Sequence, residues 1–273
     1  MTDVPLPHDL PSKRARIADA MRLQLRVLGA LIMRDMRTRF GRSHLSFLVA
    51  IAWPLIHVLV ISLAFLFASR VVPLGGSAGL FIATGALPYI LVLYPSRMMT
   101  LAVLQNFSAL MFPIVKTTDL IVARAIVEAF SAFLVVILYA MCLIAMGVDI
   151  VPLDWIEAST AILAAVFLGI DFGLLNVIAM TLLKLWLAVF IGVMVLLYTT
   201  AGASTLQIGL PAAAKEWLWY NPIAHVIIWL RTGYFGEFSE IELSKTYVLG
   251  VAIVSMFLGL VGDRLLRGKV LMG

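Results

Sequence analysis

Residues Met33 to Ala68 read MRDMRTRFGRSHLSFLVAIAWPLIHVLVISLAFLFA. A run rich in arginine passes here without a spacer into about 24 apolar residues, which is the length of a bilayer crossing. Because Lys and Arg collect on the cytoplasmic side of membrane segments, the pattern predicts a crossing that starts from the cytoplasm.

The composition extends this conclusion to the whole chain. Of its 273 residues, 63% are hydrophobic and 13% charged, and the mean hydropathy is +1.06. These values exclude an ordinary soluble domain and indicate an integral membrane protein. Because residues 1–16 lack the apolar core of a signal peptide, we expect the mature protein to begin near Met1. The single cysteine, Cys142, has no partner for an intrachain disulfide and is interpreted as a packing residue.

The distribution of charge argues against nucleic-acid binding. Nine of the twenty Lys and Arg residues precede residue 43, and Arg264, Arg267 and Lys269 lie at the C-terminus. This distribution fits membrane topology better than a polynucleotide footprint. No nucleic-acid partner is expected.

The first 44 residues divide into a proline-containing leader (1–16), predicted to be disordered, and an amphipathic helix (17–44). Apolar residues recur in the helix at spacings of three and four, with arginines between them: Met21, Leu25, Leu28, Ile32 and Met36. Such a helix lies in the headgroup plane. It acts either as a positive-inside anchor or, in addition, as a guide for an anionic lipid-linked substrate.

The rest of the chain is predicted to be a single all-α membrane domain over 45–266, followed by a cytoplasmic tail at 267–273. Its six predicted spans are 45–68, 80–103, 120–146, 159–183, 185–206 and 247–266. Residues 104–119 should return to the cytoplasm and contain a short helix that ends before Pro113, where a soluble partner has access.

Aromatic and proline residues distinguish the first two spans. Trp53 and His57 lie four residues apart on one helical face. Pro88 and Pro95 interrupt the second span, and irregular backbone at this depth needs protein or water around it. We therefore expect this span to face a cavity, beside Tyr89 and Tyr94.

Two further spans contain charged residues. Arg124 and Glu128 are spaced i and i+4, so they can neutralise each other. Asp171 falls near the middle of the fourth span, flanked by Gly169 and Gly173. The glycines are interpreted as helix-packing positions. Asp171 is either a structural hydrogen-bonding residue or part of a water-filled path.

The apolar run from Trp217 to Leu230, WLWYNPIAHVIIWL, is too short to span and is split at Asn221-Pro222. It predicts two half-helices, over about 212–236, that enter from the outer face and return. Its aromatic residues form either an interfacial belt or a set of flat rings for sugars: Trp217, Trp219, Tyr220, Trp229 and Tyr234.

Common catalytic and nucleotide-binding motifs are absent from the sequence. It contains no G-x-x-x-x-G-K-[ST], H-E-x-x-H or G-x-S-x-G. The four histidines are too scattered to indicate a metal site or a catalytic triad. We expect no catalytic residues, no metal and no cofactor in this chain, so ATP and Mg²⁺ would be bound by another polypeptide.

Three blocks of sequence together resemble a known family: LIMRDMRTRFGRSHL at 31–45, MFPIVKTTDLIVARAIVE at 111–128 and YNPIAHVIIWLRTGYF at 220–235. They resemble the permease subunits of bacterial ABC exporters for capsular polysaccharide, which are related to O-antigen and teichoic acid exporters. The resemblance covers nearly the whole chain.

This resemblance implies a homodimer with two copies of a separate ATPase, which moves a lipid-linked polysaccharide across the bacterial inner membrane. The distribution of Lys and Arg along the six-span prediction indicates that both termini are cytoplasmic. A periplasmic co-polymerase and an outer-membrane export protein would be further partners.

The resemblance also assigns candidate site residues. The ATPase-coupling residues would be Asn106, Phe107, Ser108, Ala109, Leu110, Met111, Phe112 and Lys116. The lipid head group would meet Arg34, Arg37, Arg39 and Arg42. The translocation path would include Trp53, His57, Tyr89, Tyr94, Asp171 and Tyr198. The periplasmic gate would include Trp217, Trp219, Tyr220, Asn221, Pro222, His225 and Arg231.

Alternative functions remain open at this point. An ion-coupled secondary transporter would use Asp171 and Glu128, although the broken helices do not recur in paired positions. A membrane enzyme acting on lipid-linked sugars would use His57 and Asp171. Within the exporter class, the substrate is alternatively O-antigen, teichoic acid or a small drug.

Overall fold

The computed structural model describes residues 13–40, 44–67, 77–203, 211–236 and 242–272, and these residues are nearly all helical. The helices are α1 (Lys13–Phe40), α2 (His44–Phe67), α3 (Ala78–Thr100), α4 (Ala102–Gln105), a 3₁₀ turn (Phe107–Met111), α5 (Thr117–Ala145), α6 (Trp155–Leu182), α7 (Trp186–Thr200), α8 (Ala212–Trp219), α9 (Pro222–Phe235) and α10 (Lys245–Met272). The predicted all-α class is confirmed.

Among the described residues, four helices are long and apolar enough to cross a membrane: Ala78–Thr100, Thr117–Ala145, Trp155–Leu182 and Lys245–Leu265. They correspond to the second, third, fourth and sixth predicted spans. The first and fifth predicted spans coincide with α2 and α7; within the part of the chain that the structure describes with side chains, Ala52–Phe65 and Trp186–Thr200 form shorter apolar helices.

The ends of some segments differ from the sequence prediction. Helix α1 begins at Lys13, so its first turn occupies the end of the predicted leader, whose residues 1–12 lie outside the described residues. Between α3 and α5, residues 101–116 form the connecting segment. Its 3₁₀ turn is only five residues long, because Pro113 ends the helical conformation soon after it begins.

Helix α3 is the centre of the molecule and contacts α2, α5, α6 and α9. It is apolar around its whole circumference, and nearly all of its residues are buried. Pro95 lacks the N–H that would bond the Leu91 carbonyl. Helix α6 comes close to the backbone at this same place, because Gly169 carries no side chain there.

The two glycines of α6 are packing positions, which confirms the interpretation made from the sequence. A Cβ added at Gly169 would lie 2.7 Å from the Leu91 carbonyl oxygen, and one at Gly173 would lie 2.6 Å from Cβ of Met99. Both distances are shorter than van der Waals contact. Substitution at either position would therefore push α6 away from α3.

The break between α8 and α9 falls at the predicted Asn221-Pro222 step. The Oδ1 atom of Asn221 accepts a hydrogen bond from the Ile223 N–H at 3.0 Å, and Pro222 occupies the first turn of α9. Both features start a helix efficiently. The segment 212–236 therefore consists of two separate helices.

Candidate functional site

A cavity of about 550 Å³ lies between α2, α3 and α7. Its volume is typical of small-molecule sites. Its walls are mostly aromatic and aliphatic, with one cation: Trp53, Ile56, His57, Val60, Ile61, Tyr89, Leu93, Tyr94, Arg97, Ile191, Val195 and Tyr198. Five of the six side chains predicted for the translocation path line this one cavity, although they come from three helices.

The rings of the cavity are held by one another. The Tyr89 and Tyr198 ring centroids are 4.5 Å apart. The His57 Nδ1 and Tyr94 hydroxyl lie 3.1 Å apart, within hydrogen-bond distance, and their rings meet edge to face. Trp53 is 62% exposed. Flat ring faces with a few hydroxyl groups suit the weakly polar faces of sugar rings.

Arg97 is a wall residue that the sequence analysis missed. It lies in the last turn of α3, three residues after Tyr94, and is the cation among the lining residues. The sequence could have indicated that Arg97 lies near the cavity, because Tyr94 and Arg97 are three residues apart and such positions share a helical face.

Asp171, the sixth predicted path residue, does not line the cavity. It is 2% exposed, and its Oδ2 atom has no hydrogen-bond partner among the described residues. Its proposed role in transport stays a prediction.

The connecting segment carries five exposed large apolar side chains, of which Phe107 is 39% exposed. The other four are more than half exposed, and we call them the apolar patch: Leu104, Met111, Phe112 and Ile114, with exposed fractions of 64%, 77%, 64% and 51%. The patch lies outside the four long apolar helices. By contrast, Asn106 and Ala109 of the same segment are buried. One side of the segment is therefore anchored and the other is free to meet a partner.

The described members of the predicted head-group set lie on α1. Arg34 donates a hydrogen bond from Nη2 to the Ser108 hydroxyl at 2.7 Å, so it contacts a predicted coupling residue. Arg37 is exposed. The side chain of Arg39 and the whole of Arg42 lie outside the described residues.

A buried ion network joins α1 to α5. The predicted Arg124–Glu128 pair is present, with Arg124 Nε 2.9 Å from Glu128 Oε1. Arg124 Nη1 also donates to both carboxylate oxygens of Asp35, at 2.9 and 3.0 Å. Asn106 donates to the same carboxylate at 3.2 Å. Asp35 lies 89 residues from Arg124, and its part in the network was not predicted from the sequence.

The α8–α9 pair is fixed at its turn by polar contacts. The Asn221 Nδ2 group donates to the Leu197 carbonyl at 2.8 Å and to the Thr200 hydroxyl at 2.9 Å, which ties α9 to the end of α7. His225 Nε2 lies 2.7 Å from the Trp219 carbonyl, and the Ser244 N–H donates to His225 Nδ1 at 3.3 Å.

This pattern selects the neutral imidazole of His225 with its proton on Nε2, since Nδ1 acts as an acceptor. Burial lowers the pKa of His225, while the bond to the Trp219 carbonyl raises it. The ring also packs against Trp219 and Tyr247. The predicted gate residues Trp217 and Tyr220 are exposed, and Pro222 is buried.

Arg231, the arginine of the predicted gate set, is buried, with 2% exposure. Its guanidinium donates to the carbonyls of Gly202 and Ala203, at 2.9 and 2.7 Å, and lies 4.2 Å from the Phe81 ring centroid. Gly202 adopts a φ of +70° just after α7. Arg231 therefore caps the chain just beyond the C-terminal end of α7, because it bonds the carbonyls of the two residues that follow the C-cap residue Ala201.

A second ion pair lies at the starts of α6 and α10 and was also missed. Lys245 Nζ is 2.6 Å from Glu157 Oε1, and the Trp229 indole donates to Glu157 Oε2 at 2.6 Å. The cluster joins α6, α9 and α10. Among the described residues, no group of three or more His, Cys, Asp or Glu side chains is placed to hold a metal ion.

Comparisons with known proteins agree on one class of relative. The chain is 30% identical over 248 residues to the capsule polysaccharide export inner-membrane protein CtrC of Neisseria meningitidis serogroup B, covering 89% of this chain and 91% of CtrC. It is 24% identical over 232 residues to the polysialic acid transport protein KpsM of Escherichia coli (85% and 90%). It is 23% identical over 250 residues to BexB of Haemophilus influenzae (89% and 91%). No family model matches the chain.

Proposed function

The chain belongs to the family of capsule polysaccharide export inner-membrane proteins, and we propose that it is a permease subunit driven by a separate ATPase. In this proposal the chain provides a route through the membrane and the partner hydrolyses ATP. The substrate is a lipid-linked capsular polysaccharide.

The apolar patch is the observation that carries the link to an ATPase. Two of its side chains, Met111 and Phe112, are largely exposed. They lie outside the long apolar helices, so a lipid bilayer would not cover them there. Exposed apolar clusters on a fixed support are typical of protein-binding sites. The segment also directly joins α3, the central helix, to α5. A partner that pushes on the segment would therefore act on both helices.

The proposed topology has six crossings, with α2 and α7 completing the four long apolar helices and both termini in the cytoplasm. This places the connecting segment and α1 on the cytoplasmic side and the α8–α9 pair on the outer side, as a re-entrant gate. Two copies would form the conduit, each supplying one aromatic cavity. The periplasmic co-polymerase and the outer-membrane export protein would receive the polysaccharide.

In the proposed mechanism, closure of the ATPase pushes on the apolar patch and moves the attached helices as rigid bodies. Arg34, Arg37, Arg39 and Arg42 would hold the anionic lipid head by charge-assisted contacts. The rings of the cavity would let the sugar chain slide, because stacking tolerates changes of register along the polymer.

The test replaces Met111 or Phe112 by Asp in the complex with the ATPase. A charge in an apolar contact must be desolvated, so we expect the affinity for the ATPase to fall about tenfold or more. Met146→Asp is the matched control, because Met146 is also 56% exposed but lies at the far end of α5. Affinity unchanged in both patch variants, measured by titration in detergent, would refute the docking site.

A further inference from the structure

We infer that Arg124 is a positioning residue whose buried contacts hold α1 against α5 and, through Asp35 and Asn106, against the connecting segment, so that the three elements move as one body. The inference rests on the proposed function, because it concerns which helices move when the ATPase pushes on the connecting segment. It gives α1 a mechanical role in addition to the membrane anchoring expected from its sequence.

Three polar contacts join α1 to neighbouring elements along its length. Gln24 donates a side-chain hydrogen bond to Asp119, whose other carboxylate oxygen accepts from the Lys116 N–H. Ten residues further along α1, Arg34 donates to Ser108. Next to it, Asp35 accepts from Arg124 and Asn106. Contacts spaced over more than two helical turns fix the direction of α1 as well as its position.

Apolar packing lies between these polar contacts. Leu31 of α1 forms a buried cluster with Ala109 of the connecting segment and with Leu120 and Ala123 of α5. Leu31 is 7% exposed and Ala109 is 2% exposed. The surface of α1 that faces away carries exposed apolar residues, including Met21 and Leu25. Helix α1 is therefore anchored on one side and exposed at Met21 and Leu25, and it also contacts α2.

The burial of the ion network makes separation of these elements costly. The side chains of Arg124, Asp35 and Glu128 are 3%, 5% and 1% exposed. Moving α1 away would break the paired contact between Asp35 and Arg124 in a place that water scarcely reaches, and an uncompensated buried charge is strongly unfavourable. Because Arg124 contacts Asp35 and Glu128, and Asp35 also contacts Asn106, the network holds α1, the connecting segment and α5 together.

Displacement of the connecting segment should therefore be transmitted to α1. The helix carries three of the four predicted head-group arginines, Arg34, Arg37 and Arg39, so its movement would reach the place where the lipid-linked substrate meets the protein. A push from the ATPase would then act on the substrate through α1 as well as on the membrane helices.

The experiment measures the reactivity of a cysteine placed at position 31 in the otherwise cysteine-free Cys142→Ser chain. The full complex is treated with a maleimide, without nucleotide and with a bound non-hydrolysable ATP analogue. Docked α1 hides position 31, so labelling should stay slow and equal in both states. Arg124→Met, and more mildly Asp35→Asn, should speed labelling about tenfold or more, because the network no longer favours docking.

Function should change in a manner that general misfolding would not produce. In Arg124→Met and Asp35→Asn, the ATPase should still bind and hydrolyse ATP, while export per ATP hydrolysed falls. Glu157→Gln is the matched control, because it weakens the ion pair to Lys245 at the starts of α6 and α10. It should leave labelling at position 31 unchanged.

Two results would overturn the inference: fast labelling of position 31 on nucleotide binding with the network intact, or unchanged labelling and export in both network variants. If Arg124→Met fails to fold, Asp35→Asn and the two nucleotide states still decide the outcome. Labelling of the permease without the ATPase tests the docking of α1 even if the proposed partner is wrong.

Discussion

Replacing Arg231 by Met removes the group that caps α7 and keeps a side chain of similar length. The substitution loses the two hydrogen bonds to the Gly202 and Ala203 carbonyls and the contact with the Phe81 ring. Since Arg231 is 2% exposed, water cannot easily take the place of the guanidinium. The end of α7, close to Tyr198 of the cavity wall, should then loosen.

The size of the effect follows from these contacts. A hydrogen bond to a charged group contributes about 1.5–3 kcal/mol, whereas interhelical bonds measured within a membrane average about 0.6 kcal/mol. The ring contact adds about 0.5–2 kcal/mol. Between these limits, we expect Arg231→Met to lower the free energy of unfolding by about 2–4 kcal/mol.

The assay is equilibrium unfolding of the purified chain in bicelles by increasing SDS. Arg22→Met is the matched control, because Arg22 is 74% exposed and lies 3.7 Å from Asp19 on the surface of α1. Exposed pairs are screened by solvent, so the control should change the free energy of unfolding by less than about 0.5 kcal/mol. A loss below about 1 kcal/mol for Arg231→Met would refute the capping role, since it equals one ordinary hydrogen bond.

Three further predictions concern packing, the cavity and the arginines of α1. Gly169→Val should lower the free energy of unfolding by more than about 2 kcal/mol in the same assay, because the new side chain would collide with Leu91. Gly192→Ala should not lower it by this amount, because the space around Gly192 is open. The double variant Tyr89→Ala and Tyr198→Ala should slow polysaccharide export about tenfold, whereas the double variant with Phe at both positions should keep most of the export rate. Equal export by the Ala and Phe double variants would show that the ring faces are not used. Charge reversal at Arg37 and Arg39 should reduce export while folding and ATPase binding persist, and unaltered export at equal protein level would exclude the head-group role.

The features that could be predicted from the sequence depend on residues that lie close together along the chain. The helical class, the break at Asn221-Pro222 and the Arg124–Glu128 pair all follow from local spacing or turn chemistry. Pro88 and Pro95 predicted a cavity beside Tyr89, but no local pattern predicted that Trp53 and Tyr198 would line the same cavity. Their individual positions on helices do not fix which helices become neighbours.

The contacts that escaped prediction join distant parts of the chain. Asp35 and Arg124 are 89 residues apart, and Glu157 and Lys245 are 88 apart. Arg231 was assigned to a gate by resemblance, but its bonds to the end of α7 depend on how α9 packs against α7 and α3. No periodicity encodes such pairings, because they depend on the tertiary arrangement of the helices.

The most direct measurement of the proposed function is transport by the purified chain in sealed vesicles loaded with the lipid-linked polysaccharide. Movement across the bilayer is followed by the access of an added glycan-cleaving enzyme. The account predicts movement only when both the partner ATPase and ATP are present on the side of the connecting segment. Movement by this chain alone, or an apolar patch that reacts with probes only from the opposite side, would contradict it.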